Sequence, residues 1–256
     1  MLRLQEGSRP TVPFPVNNTI RLACSDCSLR EHCQPPDLSA ADLARIEATI
    51  SSSRRVARGS ALFHAGETFD ALYAIKSGFF KTTLTTADGR QQITGFHMGG
   101  DVVGLHGIGA GHYINDAIAL EDSLACRMPY ARIQEVAQQV PALQAHLHRI
   151  MSRQIASQHG VMLLLGNMRA EERVAAFLLN LLQRLDARGY SNTELQLRMT
   201  REEIGSYLGL KLETVSRIFS RFAADELIEV SNRHVRVLDM DALQARVHLP
   251  GCEPQA

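Results

Sequence analysis

The sequence predicts an α+β protein in which a β-roll of the jelly-roll type is followed by one long helix and then a winged helix-turn-helix. From Arg55 to about Arg127, short apolar runs such as Ala71-Leu72-Tyr73-Ala74-Ile75 are separated by glycines and an Asp-Gly turn, the pattern of an antiparallel roll. From Pro141 to Met168, apolar residues recur at spacings of three, four or seven, which is helical periodicity. From Thr200 to Val237, a capped helix, a glycine, a second helix and an alternating hairpin follow one another.

The 256 residues suffice for two domains and a connector. The expected division is an N-terminal tail (1–20), a cysteine loop with the β-roll (21–140), a dimerisation helix (141–168), a DNA-binding domain (169–248) and a C-terminal tail (249–256). Apolar residues are 45% and charged residues 21% of the chain, which excludes disordered and fibrous classes. No apolar run approaches the ~20 residues of a membrane span, and Pro10, Pro13 and Pro15 interrupt an N-terminus without a secretory pattern. A cytoplasmic location with no membrane partner is expected.

The cysteine loop ends at Pro35-Pro36, with a helix starting at Asp37 or Ser39. Within the roll, Ala87-Asp88-Gly89-Arg90 reads as a hairpin turn, since Asp and Gly tolerate positive φ. On the long helix, Met151, Ile155, Gln158, Met162 and Leu165 form one stripe together with Leu147, while Leu143, Ile150, Val161 and Leu164 lie beside it. Periodicity alone suits a buried helix as well as a dimer seam, but the position between a β segment and a helical segment favours the seam in a homodimer. A further helix from Glu171 is expected to stop near Arg188-Gly189, with the glycine as its cap.

Thr200 and Glu203 stand at capping-box spacing, so a helix opens there and runs to Leu208. Gly209-Leu210 turns the chain into a second helix from Lys211 to Ala224, whose Val215, Ile218, Phe219 and Phe222 build one apolar face. The opposite face presents Glu213, Ser216, Arg217 and Ser220. A guanidinium can grip guanine O6 and N7, a carboxylate can accept from cytosine N4, and a hydroxyl suits either edge. Arg217, Glu213 and Ser216 are therefore base-reading candidates, with Arg201, Lys211 and Arg221 as phosphate contacts. Such a face is ordinarily only solvated; the wing that follows, Leu227 to Leu238 around Ser231-Asn232-Arg233, favours double-stranded DNA as the partner. Between Ala170 and Val247 there are 11 Lys and Arg against 12 Asp and Glu, so affinity should come from two half-sites gripped by a symmetric dimer.

Cys24, Cys27 and Cys33 crowd into ten residues, with Cys126 and Cys252 distant. In a reducing compartment such crowding points to a metal or to redox thiols. Four thiolates suit zinc and an iron-sulfur cluster alike, and spacing alone does not separate these. His32 reads as an exposed side chain or as a donor to the ligand loop, and Cys252 as a spare thiol. His97, His106 and His112 lack a carboxylate pair or a nucleophile-base set, so an enzyme is not expected.

The run MTREEIGSYLGLKLETVSRIFSRFAADEL, Met199 to Leu227, with Ala170 to Phe177 before it and Gln92 to His97 and Gly100 to Gly104 in the roll, closely resembles FNR-type regulators of the cyclic-AMP receptor protein superfamily. The resemblance implies a cyclic-nucleotide-binding-like β-roll, a 4Fe-4S cluster on Cys24, Cys27, Cys33 and Cys126, and TTGAT and ATCAA half-sites read by Glu213, Ser216 and Arg217. It also implies an oxygen-dependent dimer seam, and an RNA polymerase contact near Asp88, Gly89 and Arg90. The Arg-Ser pair that holds a cyclic nucleotide is absent from Gly104 to Gly109, so no such ligand is expected. FNR proteins can carry an acidic seam residue; this chain has no Asp or Glu between Glu135 and Glu171, which implies readier dimerisation in air.

Overall fold

The computed structural model describes residues 27, 29–35, 38–50 and 52–247. Cys24, Cys252 and both expected tails lie outside the described residues. In chain order the elements are α1 (Arg30–Cys33), α2 (Ala40–Thr49), β1 (Ser52–Val56), β2 (Ala61–Phe63), β3 (Ala71–Ser77), β4 (Phe79–Thr85), β5 (Gln91–Met98), β6 (Val102–Val103), α3 (Gly107–Ala110), β7 (Asp116–Ala119), β8 (Ser123–Pro129), α4 (Tyr130–Gln139), α5 (Pro141–Asn167), α6 (Ala170–Asp186), β9 (Glu194–Gln196), α7 (Arg201–Leu208), α8 (Leu212–Ala224), β10 (Ile228–Ser231), β11 (His234–Val237) and α9 (Met240–Ala245).

Two four-stranded antiparallel sheets, β1-β8-β3-β6 and β2-β7-β4-β5, face each other. Leu62, Phe63, Ile75, Phe80, Tyr113 and Ala117 fill the space between them. This is the expected jelly-roll fold, and the β4–β5 hairpin closes at Gly89, whose φ of +83° a side-chain-bearing residue rarely adopts. His97 sits inside it, its Nε2 3.1 Å from the Thr82 hydroxyl. Burial pushes its pKa down to about 4, so this half-buried imidazole is uncharged at neutral pH.

The long helix α5 begins with Pro141 at its first turn, where proline costs nothing because that N–H has no helical partner. In its first half Leu143 packs against Ile46 of α2 and Val136 of α4, Leu147 reaches Leu72, Ala74 and Val102 of the roll, and His146 is buried. Ile155 is 58% and Met162 69% exposed. The stripe expected to form the seam drifts, however: Leu165 packs against the helix-turn-helix core, as Leu147 does against the roll. A straight helix turns away from a strict seven-residue repeat by about 20° per heptad, so the ends of the stripe face the chain itself. Helix α6 ends at Asp186 with Ala187 as its cap, two residues short of Gly189, which carries a positive φ in the following turn. Helix α4 and strand β9 had no expectation in the sequence.

The C-terminal unit shares a core with the roll. Ile93, Phe96 and Met98 of β5 and Leu120 just after β7 lie among Val174, Leu178, Ile204 and Phe222, and Phe96, Phe177 and Tyr207 pack ring against ring at 5.3 to 6.0 Å. Arg173 fastens three elements: it donates to the carbonyls of Leu165 at 2.8 Å, Met168 at 2.9 Å and Leu208 at 3.0 Å. These carbonyls belong to the ends of α5 and α7, which have no partner within their own helices. Replacing Arg173 by Ala is expected to cost about 3 kcal/mol, the worth of one or two charged hydrogen bonds at roughly 1.5–3 kcal/mol each, because water can reach part of this half-buried site and replace the rest. In thermal unfolding this is a fall of roughly 6–12 °C. Lysine should recover little of it, because an ammonium lacks the planar fork; an unchanged Tm for Arg173→Ala would defeat the assignment.

Candidate nucleic-acid interface and cysteine site

The helix-turn-helix forms as its local chemistry dictates. Thr200 accepts from the Glu203 N–H at 3.1 Å, and Glu203 accepts from the Thr200 N–H at 2.7 Å. Burial would raise Glu203, but Lys81, 2.8 Å away, and the Thr200 N–H hold its carboxyl below the usual carboxylate range. Gly209, at φ +64°, ends α7 in a left-handed turn. A Cβ on Gly205 would stand 2.5 Å from the Leu210 carbonyl, so the turn crosses a helix that must be bare there.

On α8, Val215, Ile218, Phe219 and Phe222 are buried. Glu213, Arg217 and Ser220 are exposed and Ser216 is half-buried, so the structure brings the candidate base readers onto one free face. The three phosphate candidates are treated differently. Lys211 is exposed at the N-cap of α8. Arg221 pairs with Glu171, and Arg246 reaches the same carboxylate at 3.8 Å. Arg201 is turned inward, its guanidinium 3.4 Å over the Phe219 ring, and burial pushes its pKa down to about 10. It remains charged at neutral pH, but a phosphate contact would require it to leave the ring. The wing is β10-β11 with β9 added; Asn232, at φ +56°, makes the two-residue turn.

Cys126 lies on β8 opposite Ser53 of β1 and Ala74 of β3. Burial pushes its thiol up, against the Ser53 hydroxyl and the Lys76 ammonium. The sheet thereby carries Cys126 to the same cavity as Cys27 and Cys33, lined also by Gln34, Lys76, Val102, Ile133 and His146. The cavity is small, about 60 Å³. Among the described residues, no group of three or more His, Cys, Asp or Glu converges closely enough to hold a single metal ion. Two polar atoms in its wall, Gln34 Oε1 and His146 Nε2, are buried without a hydrogen-bond partner, which is costly unless something fills the site. Burial, with Arg149 and Arg153, pushes His146 down to about 4 against a backbone hydrogen bond at Cys33.

Some side chains of consequence carried no signal in the sequence. Arg173, His146, and the ion pairs of Asp101 with Arg184 and Arg188 join residues far apart in the chain. The Asp88-Gly89-Arg90 tip is exposed, with Arg90 2.7 Å from Asp88. No helix among the described residues is long and apolar enough to cross a membrane.

Comparison with known proteins accords with this geometry. The profile of the cyclic nucleotide-binding domain matches residues 53–140, and that of the Crp-like helix-turn-helix domain matches residues 172–246. The transcriptional regulatory protein Btr of Bordetella pertussis is 44% identical over 90% of this chain and 95% of its own. The fumarate and nitrate reduction regulatory protein of Escherichia coli is 40% identical over 86% and 88%. The solved structure of FixK2 from Bradyrhizobium japonicum superposes with a TM-score of 0.71 at 27% identity, covering 77% of this chain and 98% of that one. The chain is thus a transcription regulator, not an enzyme, and belongs to the FNR type of the CRP/FNR family.

Proposed function

We propose that this protein is an oxygen-responsive global regulator that carries a 4Fe-4S cluster and, as a homodimer, binds TTGAT-N4-ATCAA-type palindromes to activate or repress genes of anaerobic growth. The observation that supports this best is the convergence of Cys27, Cys33 and Cys126 on one cavity from two remote stretches of chain. A cluster takes one thiolate on each iron, so its ligands stand further apart than those of a single ion. The donor set, the apolar wall and the unpartnered Gln34 and His146 atoms suit such a group, with Cys24 as the fourth ligand.

When bound, the cluster supplies a centre whose stability depends on solvent access and on hydrogen bonds to sulfur. The protein's part is to hold four thiolates, offset their charge with Lys76, and keep water out with Val102 and Ile133. Arg217, Glu213 and Ser216 read bases and Lys211 contacts phosphate, joined by Arg221 and Arg201 once these leave their present partners. Met151, Ile155, Gln158, Met162 and Leu165 belong to the seam, and Asp88, Gly89 and Arg90 offer the polymerase contact. The working division is that of the sequence, 21–140 for sensing, 141–168 for dimerisation and 169–248 for DNA, in a cytoplasmic protein without a cyclic-nucleotide ligand.

The test is iron and acid-labile sulfide per chain, with the visible spectrum, on anaerobic protein before and after air. About four of each is expected, with absorbance bleached by air, and Cys126→Ser should lose both. Zinc, or thiols without metal, would support instead a zinc- or thiol-redox regulator with the same DNA-binding unit.

A further inference from the structure

The DNA-binding unit meets the cysteine loop directly, at the Gly99-Gly100-Asp101 turn between β5 and β6. On the loop side, Leu29 and His32 press against the two glycines. A Cβ on Gly99 would stand 2.7 Å from Leu29 Cδ1, and one on Gly100, at φ +90°, would stand 2.9 Å from His32 Cβ. Cys33 Sγ lies 3.9 Å from the Gly100 carbonyl.

On the other side, Arg188 donates to the Gly99 carbonyl at 2.5 Å and to Asp101 at 2.6 Å, with its side chain only 8% exposed. Arg184 donates to Asp101 at 2.6 Å and to the Phe96 carbonyl at 3.0 Å. His32 closes the circuit: its Nε2 donates to the carbonyl of Ala187, the residue that caps α6, at 3.0 Å.

We propose that His32 and Arg188 are positioning residues that latch the cysteine loop to the DNA-binding unit of the same chain, so that the state of Cys33 reaches α6 without passing through the dimer seam. His32 and Cys33 are consecutive in the single turn α1, so a displacement of one sulfur moves the imidazole beside it. The imidazole holds a helix-terminal carbonyl that has no partner within α6, and it does so against glycines that leave no slack. The link to the cluster rests on the function proposed above; the latch rests on the contacts alone. Two sites are coupled when one element has two arrangements that both bias, and here that element is the α6 terminus, released or held.

Amide hydrogen exchange over residues 185–190 reads the latch. His32→Ala, in the protein as purified, is expected to lower protection there at least tenfold. His32→Gln, which keeps an N–H donor, should restore most of it, and folding is checked by circular dichroism. In wild type, air should lower protection over the same residues. A monomeric Ile155→Glu variant, kept anaerobic, should retain it, because the latch is made within one chain. Protection within twofold of wild type in His32→Ala, or protection already lost in anaerobic Ile155→Glu, would overturn the proposal. Wild-type protein without iron would sink the cluster reading alone, because the His32→Ala comparison still decides the latch.

Discussion

Arg217→Ala is expected to lose between roughly 30-fold and 10⁴-fold in affinity for a TTGAT-N4-ATCAA duplex. A bidentate guanidinium on guanine is worth roughly 1–3 kcal/mol of discrimination. A symmetric dimer spends the contact twice, so about 2–6 kcal/mol disappears, at about 1.4 kcal/mol per decade. The loss should be confined to sequences that present the guanine: against a duplex with that base pair changed, wild type and variant should bind alike. Lys211→Ala is the counterpart, weakening all sequences uniformly and reducing the salt slope by about one per half-site. Fluorescence anisotropy over a salt series separates the two. If Arg217→Ala weakened both duplexes equally, Arg217 would be a phosphate contact and the base-reading assignment would fall.

Arg217 also shows how much the sequence discloses. The spacing of Val215, Ile218, Phe219 and Phe222 determines which side of α8 goes inward, so Glu213, Arg217 and Ser220 are left outside. The capping box at Thr200 and the left-handed glycine at 209 are local chemistry, legible before any fold is known. Arg201 is different. A cation in the first turn of a helix reads as solvent-facing, and only tertiary packing puts the Phe219 ring beneath it. The cysteines divide in the same way: Cys27 and Cys33 are visibly a loop, whereas the arrival of Cys126 depends on β8 lying between β1 and β3. Resemblance linked the two parts in advance; spacing could not. Arg173 and the Asp101 pairs were illegible because a charged residue on a helix face has no sequence mark distinguishing a carbonyl clamp from a solvated side chain.

Ile155→Glu should weaken self-association at least 100-fold while leaving the fold of each chain intact. Ile155 is 58% exposed and Met162 69% exposed, so the chain gives neither a place to bury. Across a twofold seam each isoleucine is counted twice, and burying such a side chain contributes roughly 1.5–3 kcal/mol. The substitution removes about 3–6 kcal/mol and adds two carboxylates facing each other near the axis. Thermal stability of the separated chains should hardly change, since the residue touches little of its own fold. Gln158→Asp tests the charge by itself. Gln158 is exposed on the same stripe, and an uncharged residue there leaves pairing unopposed, so wild type should retain dimer in air that the Asp variant loses. Sedimentation of both variants and wild type, with and without oxygen, reads all of this. A wild-type protein wholly monomeric at micromolar concentration in air would refute the uncharged-seam argument, and an Ile155→Glu protein that remained dimeric would move the seam to another face of α5.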